Sequence, residues 1–79
     1  MPRVSIDVML KDEILDPQGQ AIERALPELG YAGVSDVRVG KHIELEVPDG
    51  DDIDARVEAM ATDLLANLVI ESFTYHVHR

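Results

Sequence analysis

The chain has 79 residues, no cysteine, 16 acidic against 7 basic residues and a formal net charge of −9. That length suits one small domain spanning residues 1–79, and an excess of acid argues against nucleic acid and anionic membrane as partners, because both require a basic footprint. A chain this short buries only about 60–65% of its unfolded surface, so its core is thin.

Residues 4–10 open the pattern as a strand. Val4, Ile6, Val8 and Leu10 share one face, and Ser5, Asp7 and Met9 share the other. The loop KDEILD then leads to Asp16, an N-cap, and to Pro17, whose missing N–H costs nothing at a first helical position. Ile22, Ala25, Leu26 and Leu29 fall on one helical stripe, which is expected to face the core. Gly19 sits inside the first turn at a cost of about 1 kcal/mol relative to Ala. Pro27 calls for a kink or an early end, and Gly30 is a natural terminator just beyond the helix.

The stretch VSDVRVGKHIELEV reads as a β-hairpin. Opposed residues share a face, so the apolar match pairs Val39 with Ile43 and Val37 with Leu45, leaving Gly40, Lys41 and His42 as the connection. The alternative, a two-residue turn at Gly40-Lys41, opposes Val37 with Glu44 unless a bulge restores the register. PDGDDID supplies N-cap carboxylates, and Ile53, Val57, Met60, Ala61, Leu64, Leu65 and Leu68 form the clearest helical stripe, with Asn67 as a stop. Residues 69–78 form a last strand, with Phe73, Tyr75 and Val77 inward and Ser72, Thr74, His76 and His78 outward.

The order is thus β-α-β-β-α-β, the ferredoxin-like or split βαβ arrangement of the α+β class. Right-handed crossovers place two helices on one face of a four-stranded, mostly antiparallel sheet. The open face would carry Arg3, Asp7, Arg38, Glu44, Glu46 and Thr74. With neither disulfides nor a metal to staple so small a core, a dimer or dimer of dimers is expected.

No residue set in the sequence identifies a reaction. RNA recognition on this fold needs aromatics on the open face, where Glu44 and Glu46 stand instead. VGKH lacks the spacing of a phosphate loop, since Ser35 and His42 occupy its Gly and Ser/Thr positions. DGDDID lacks calcium-loop spacing, and its acids already complement a helix N-terminus. His76 and His78 share a strand face without an evident third zinc ligand. No Ser has an identifiable base, and there is no Cys nucleophile. MPRVSIDV lacks the apolar segment of a signal peptide, no apolar run approaches the ~20 residues of a membrane span, and a cysteine-free chain fits the cytoplasm.

Three blocks in order, LDPQG at 15–19, DVRVGK at 36–41 and LLANLVIE at 64–71, resemble the PurS family, the small subunit of bacterial and archaeal phosphoribosylformylglycinamidine synthase. The resemblance covers essentially the whole chain. It implies a non-catalytic subunit of a purine-synthesis ligase, forming a homodimer or homotetramer. This subunit joins an ATP-dependent synthetase subunit to a glutaminase subunit and supports assembly and ammonia transfer, as formylglycinamide ribonucleotide becomes the amidine. It also implies that this chain binds no cofactor, with ATP and magnesium belonging to the large subunit. The competing reading is a small-molecule-sensing regulatory βαββαβ domain with a ligand at a dimer interface. Leu68 stands where many members carry Pro or Thr, and Pro27 is unusual for the first helix.

The family signature falls on Asp16, Gln18, Gly19, Arg38, Gly40, Lys41, Asn67 and Glu71, which become the subunit-interface candidates. For Gly19, close approach of another subunit competes with local geometry that excludes a Cβ. Arg38 and Lys41 are scarce cations in an acidic chain, suited to an acidic partner surface or phosphate. A cross-strand ion pair with Glu44 or Glu46 is the alternative.

Overall fold

The computed structural model describes residues 1–78. Its elements are β1 (Arg3–Leu10), α1 (Pro17–Glu28), β2 (Gly40–Glu46), α2 (Ile53–Met60) and β3 (Glu71–His78), with a π-helical turn at Ala61–Leu65. The described residues form one antiparallel sheet of three strands in the order β2-β1-β3. β1 is central because its alternation is the cleanest: Val4, Ile6 and Val8 are buried beneath α2. They pack with Val47, Ile53, Val57 and Ala66, and Ile43, Leu45, Phe73, Tyr75 and Val77 flank that core half-buried.

α2 starts after Asp52 and carries its buried stripe on Ile53 and Val57. It then widens: the N–H of Ala66 reaches back five residues to the Ala61 carbonyl (2.9 Å). A π turn of this kind re-aims the stripe. Leu65 stays half-buried, Ala66 is buried and Leu64 is thrown outward, 84% exposed. The long stripe expected to continue to Leu68 therefore ends at Leu65.

The expected hairpin does not form, and with it goes the fourth strand. Residues 37–39 do not fold back on the outer edge of β2. They stay beside the segment leaving β1, where the Val39 N–H donates to Asp16 Oδ2 (2.8 Å) and the Val37 N–H to Glu23 Oε1 (3.0 Å). Two helix carboxylates thus occupy the backbone groups that would otherwise have to turn over. Asp36, at a φ of 62°, changes the chain's direction just before this segment.

The second departure follows from the first. α1 contributes nothing to the core; of its residues only Gly19 is buried. Its apolar stripe looks into solvent, with Ile22 44% and Leu29 71% exposed. Pro27 is tolerated because the helix ends one residue after it, and Gly30 accepts the left-handed φ of 97° that reverses the chain. The molecule measures 50 × 25 × 14 Å, with a radius of gyration of 16.1 Å. A compact chain of this length would have about 12 Å. α1 and residues 29–39 form an arm off one end of the sheet.

Candidate functional site at the end of the sheet

β1 finishes, β2 begins and β3 begins at the same end of the sheet, because Met9 opposes Gly40 and Leu10 opposes Glu71. The eight candidate residues lie at this end, in two adjoining groups.

Asp16 is the centre of the first. Its carboxylate is buried and accepts from the Gly19 N–H (2.9 Å) as an N-cap and from the Val39 N–H, so one side chain both starts α1 and fastens it to the head of β2. Those two N–H donors, with Arg38 nearby, hold the Asp16 carboxyl below its usual range. The reason for glycine at 19 is also visible: a Cβ would collide with the Val37 carbonyl and the Asp16 carboxylate of the same chain. Arg38 does not reach Glu44 or Glu46. Its Nη2 donates to the carbonyls of Leu10 (3.2 Å) and Lys11 (3.0 Å), with Ile14 O at 3.5 Å, clasping the loop that leaves β1. Arg3 takes the cross-strand role instead, with Glu44 Oε1 at 3.1 Å and Glu46 Oε1 at 3.5 Å.

The second group closes the turn into β3. Asn67 Oδ1 accepts from the Val69 N–H (3.1 Å), while the Asn67 N–H donates to Glu71 Oε1 (2.7 Å). Lys41 Nζ donates to the Leu65 carbonyl (3.3 Å) and lies 4.0 Å from Glu71 Oε2. Between the groups is an open cleft of about 310 Å³ lined by Asp16, Gln18, Gly40, Lys41 and Glu71 over the apolar floor of Val8 and Leu10. Beside it Leu64, Leu68 and Val69 are exposed, Val69 by 80%.

Glu23 was missed from the sequence, though it stands seven residues from Asp16 and so on the same helical face. On the open sheet face His42 Nδ1 lies 2.5 Å from Asp7 Oδ1, and that hydrogen bond raises the imidazole above its ordinary value. Arg3 holds the Glu44 carboxyl low. His78 Nε2 meets Ser5 Oγ at 2.9 Å, and His76 packs edge-on against His78. No group of three or more metal-ligating side chains occurs among the described residues, and no helix there is long and apolar enough to cross a membrane.

This end is built of fasteners and exposed apolar surface, which suits assembly. The family model described as PurS, phosphoribosylformylglycinamidine (FGAM) synthase, matches residues 3–79. The phosphoribosylformylglycinamidine synthase subunit PurS of Mycobacterium leprae is 55% identical over 74 residues, covering 94% of this chain and 92% of the relative. A solved structure of Bacillus subtilis PurS superposes with a TM-score of 0.93 at 45% identity, covering all of both chains. A chain of the Thermotoga maritima PurLQS structure superposes at 0.78 with 28% identity, covering 96% of this chain and 95% of that one. With its sequence matched almost end to end and its elongated shape shared, the chain belongs to the PurS family of phosphoribosylformylglycinamidine synthase.

Proposed function

We propose that this chain is the assembly subunit of a three-part phosphoribosylformylglycinamidine synthase and works in the cytoplasm as a homodimer that bridges a synthetase and a glutaminase subunit. It supports ammonia transfer between them and leaves ATP and magnesium to the synthetase. The observation that carries the reading is the uncovered arm, in a family whose Thermotoga maritima member occurs within PurLQS.

In this reading the two copies meet along the arm. The Val47 N–H donates to the Pro2 carbonyl, and the same register pairs Val4 with Leu45 and Ile6 with Ile43. Odd-numbered residues of β2 therefore turn their backbone groups toward β1, and Gly40, His42, Glu44 and Glu46 turn theirs outward. Val37 and Val39 continue the parity by donating to α1, which leaves one free edge from Arg38 to Glu46. Two such edges fit antiparallel around Lys41, with Val39 opposite Ile43 of the second copy and Val37 opposite its Leu45. These are the hairpin contacts of the sequence, made between chains. Each sheet gains its fourth strand, and each α1 stripe comes over the half-buried Ile43 and Leu45 of the other copy.

The experiment is reconstitution. Omitting this chain from the three purified components abolishes glutamine-dependent amidine formation while leaving each partner's isolated activity in place. Full glutamine-dependent activity without the chain overturns the reading. Nothing in the structure favours the regulatory alternative; ligand-dependent stabilisation of the isolated chain is its test.

A further inference from the structure

The loop between β2 and α2 is anchored at both ends and loose in the middle. Val47 is buried with its N–H on the Pro2 carbonyl (3.0 Å), and Ile53 is buried at the start of α2. Between these anchors, residues 48–52 are all exposed. Arg3 opposes both Glu46 and His78, so the loop lies at the end of the sheet away from Lys41 and Glu71. It holds Asp49-Gly50, the single aspartate–glycine step in the chain.

The main-chain nitrogen after an aspartate can close on the side-chain carboxyl to form a five-membered imide. Closure requires a free N–H, a loosely held carboxyl and little bulk on the following residue. The other aspartates each miss a condition. Asp16 is buried and precedes Pro17, which has no N–H. Asp7 precedes β-branched Val8 inside β1, and Asp36 precedes Val37, whose N–H is bound to Glu23. Asp52 and Asp54 precede residues of α2, and Asp12, Asp51 and Asp63 precede bulky side chains. Asp49 meets all three conditions. Its side chain is 82% exposed, and its ion pair with the exposed amino terminus is a long 3.9 Å. Among the described residues no hydrogen bond holds the Gly50 N–H, and Gly50 brings no Cβ.

We propose that Asp49-Gly50 is a covalent modification site, at which aspartate isomerises to isoaspartate in the folded chain without an enzyme. The Gly50 nitrogen bonds to Cγ of Asp49, and the N–H proton leaves with the carboxyl OH as water. A second water then opens the imide at either carbonyl. Opening at Cγ restores aspartate. Opening at the other carbonyl routes the backbone through the side chain and frees an α-carboxylate. Mass and net charge end unchanged, and neither oxidant nor cofactor takes part. The product lengthens the backbone by one atom. The loop has room for it, because it borders an open hollow of about 540 Å³ beside Pro2, Ile53 and His78. The freed α-carboxylate is also a methyl acceptor, since isoaspartyl carboxyl methyltransferases esterify that group with the methyl of S-adenosylmethionine.

The test is ageing of the full folded chain in neutral buffer at physiological temperature. Peptide mapping and methyl transfer from labelled S-adenosylmethionine by an isoaspartyl carboxyl methyltransferase read the product. The expected result is one peptide, spanning Asp49 and Gly50, that splits into two species of equal mass and takes up label. Gly50→Ala slows the reaction several-fold with native circular dichroism. Its new Cβ meets only the mobile ends of Asp52 (3.3 Å) and Arg56 (3.7 Å). Asp49→Glu abolishes the reaction, because its ring would need six members. Asp49→Asn accelerates it, with ammonia as the leaving group. A wild type that ages without isoaspartate at position 49 overturns the proposal, as does a Gly50→Ala variant with an unchanged rate. A folded chain that stays unmodified while the same chain in urea isomerises shows that the fold protects this step, and overturns it too.

Discussion

The two halves of this small molecule are built to opposite specifications. Around β1, apolar side chains meet apolar side chains of the same chain: Val4, Ile6 and Val57 are fully buried, and Ile53 and Val57 of α2 pack with them. In the arm, an equally regular stripe on α1 stays outside the core, with Leu26 half-buried and Ile22 and Leu29 exposed, while backbone and carboxylates are fastened with care. An apolar stripe of this kind on a rigid support is what the proposed contact between copies would cover. The arm is therefore ordered by hydrogen bonds, and the sheet is ordered by its own core; in the proposed reading, association completes the arm.

That contrast makes the variants unequal. The largest effect belongs to Glu44→Pro, which deletes an outward N–H of β2 on both copies and leaves the β1–β2 ladder intact. Self-association is expected to weaken by about 100-fold, equivalent to roughly 3 kcal/mol, with the sheet's circular dichroism retained. Ile22→Asp comes next. It removes an apolar side chain worth about 1.5–3 kcal/mol from the contact between copies, read as a rise of roughly 10- to 100-fold in the dimer dissociation constant. On a helix that faced only solvent, the same change would stay within about 0.5 kcal/mol.

Gly19→Ala tests the fastening rather than the stripe. The new methyl must displace the Val37 carbonyl, and a loss of about 1–3 kcal/mol is expected in denaturant unfolding. The smallest effects are those of pH. The Asp16 carboxyl is depressed in the folded chain, so its contribution is present above the unfolded value of about 3.9 and fades as pH falls through the folded one. Asp16→Asn should be less stable near neutrality and show a flatter acid limb. His42 runs the other way: its folded value is raised, so the Asp7 pair stabilises below about 6.5 and is lost as pH climbs through the folded value. His42→Gln should flatten the slope of stability against pH in that upper window.

Where local pattern and packing agreed, the sequence was legible. The parity of β1 and β3, the Asp16 cap, the start of α2 and the Gly30 stop were all readable because each depends on near neighbours. The hairpin was not, for a specific reason. The pairing of Val37 and Val39 with Leu45 and Ile43 is the same whether the strand folds back or meets a second copy. What decides is the grip of Asp16 and Glu23 on the Val39 and Val37 N–H groups, which involves residues distant in sequence. The π turn escaped for a related cause: an apolar stripe at helical spacing continues through it unbroken, and only the Ala66–Ala61 bond shows where Leu64 is turned out. The candidate residues were found as a set through family blocks, while their individual tasks were not. Arg38 was expected to seek Glu44 or Glu46 and instead holds the carbonyls of the first loop.

The exchange of hairpin contacts between copies has a direct chemical readout, since the described residues include no cysteine. Val39→Cys combined with Ile43→Cys places two thiols at a non-bonded antiparallel pair, where Cα atoms lie about 4.5 Å apart, within the range a disulfide spans. After mild oxidation of the full-length double variant, a denaturing, non-reducing gel should show a covalent dimer that reverts to single chains on reduction. A single-chain band with its two cysteines joined to each other would mean that the strand folds back on itself, and would contradict the account.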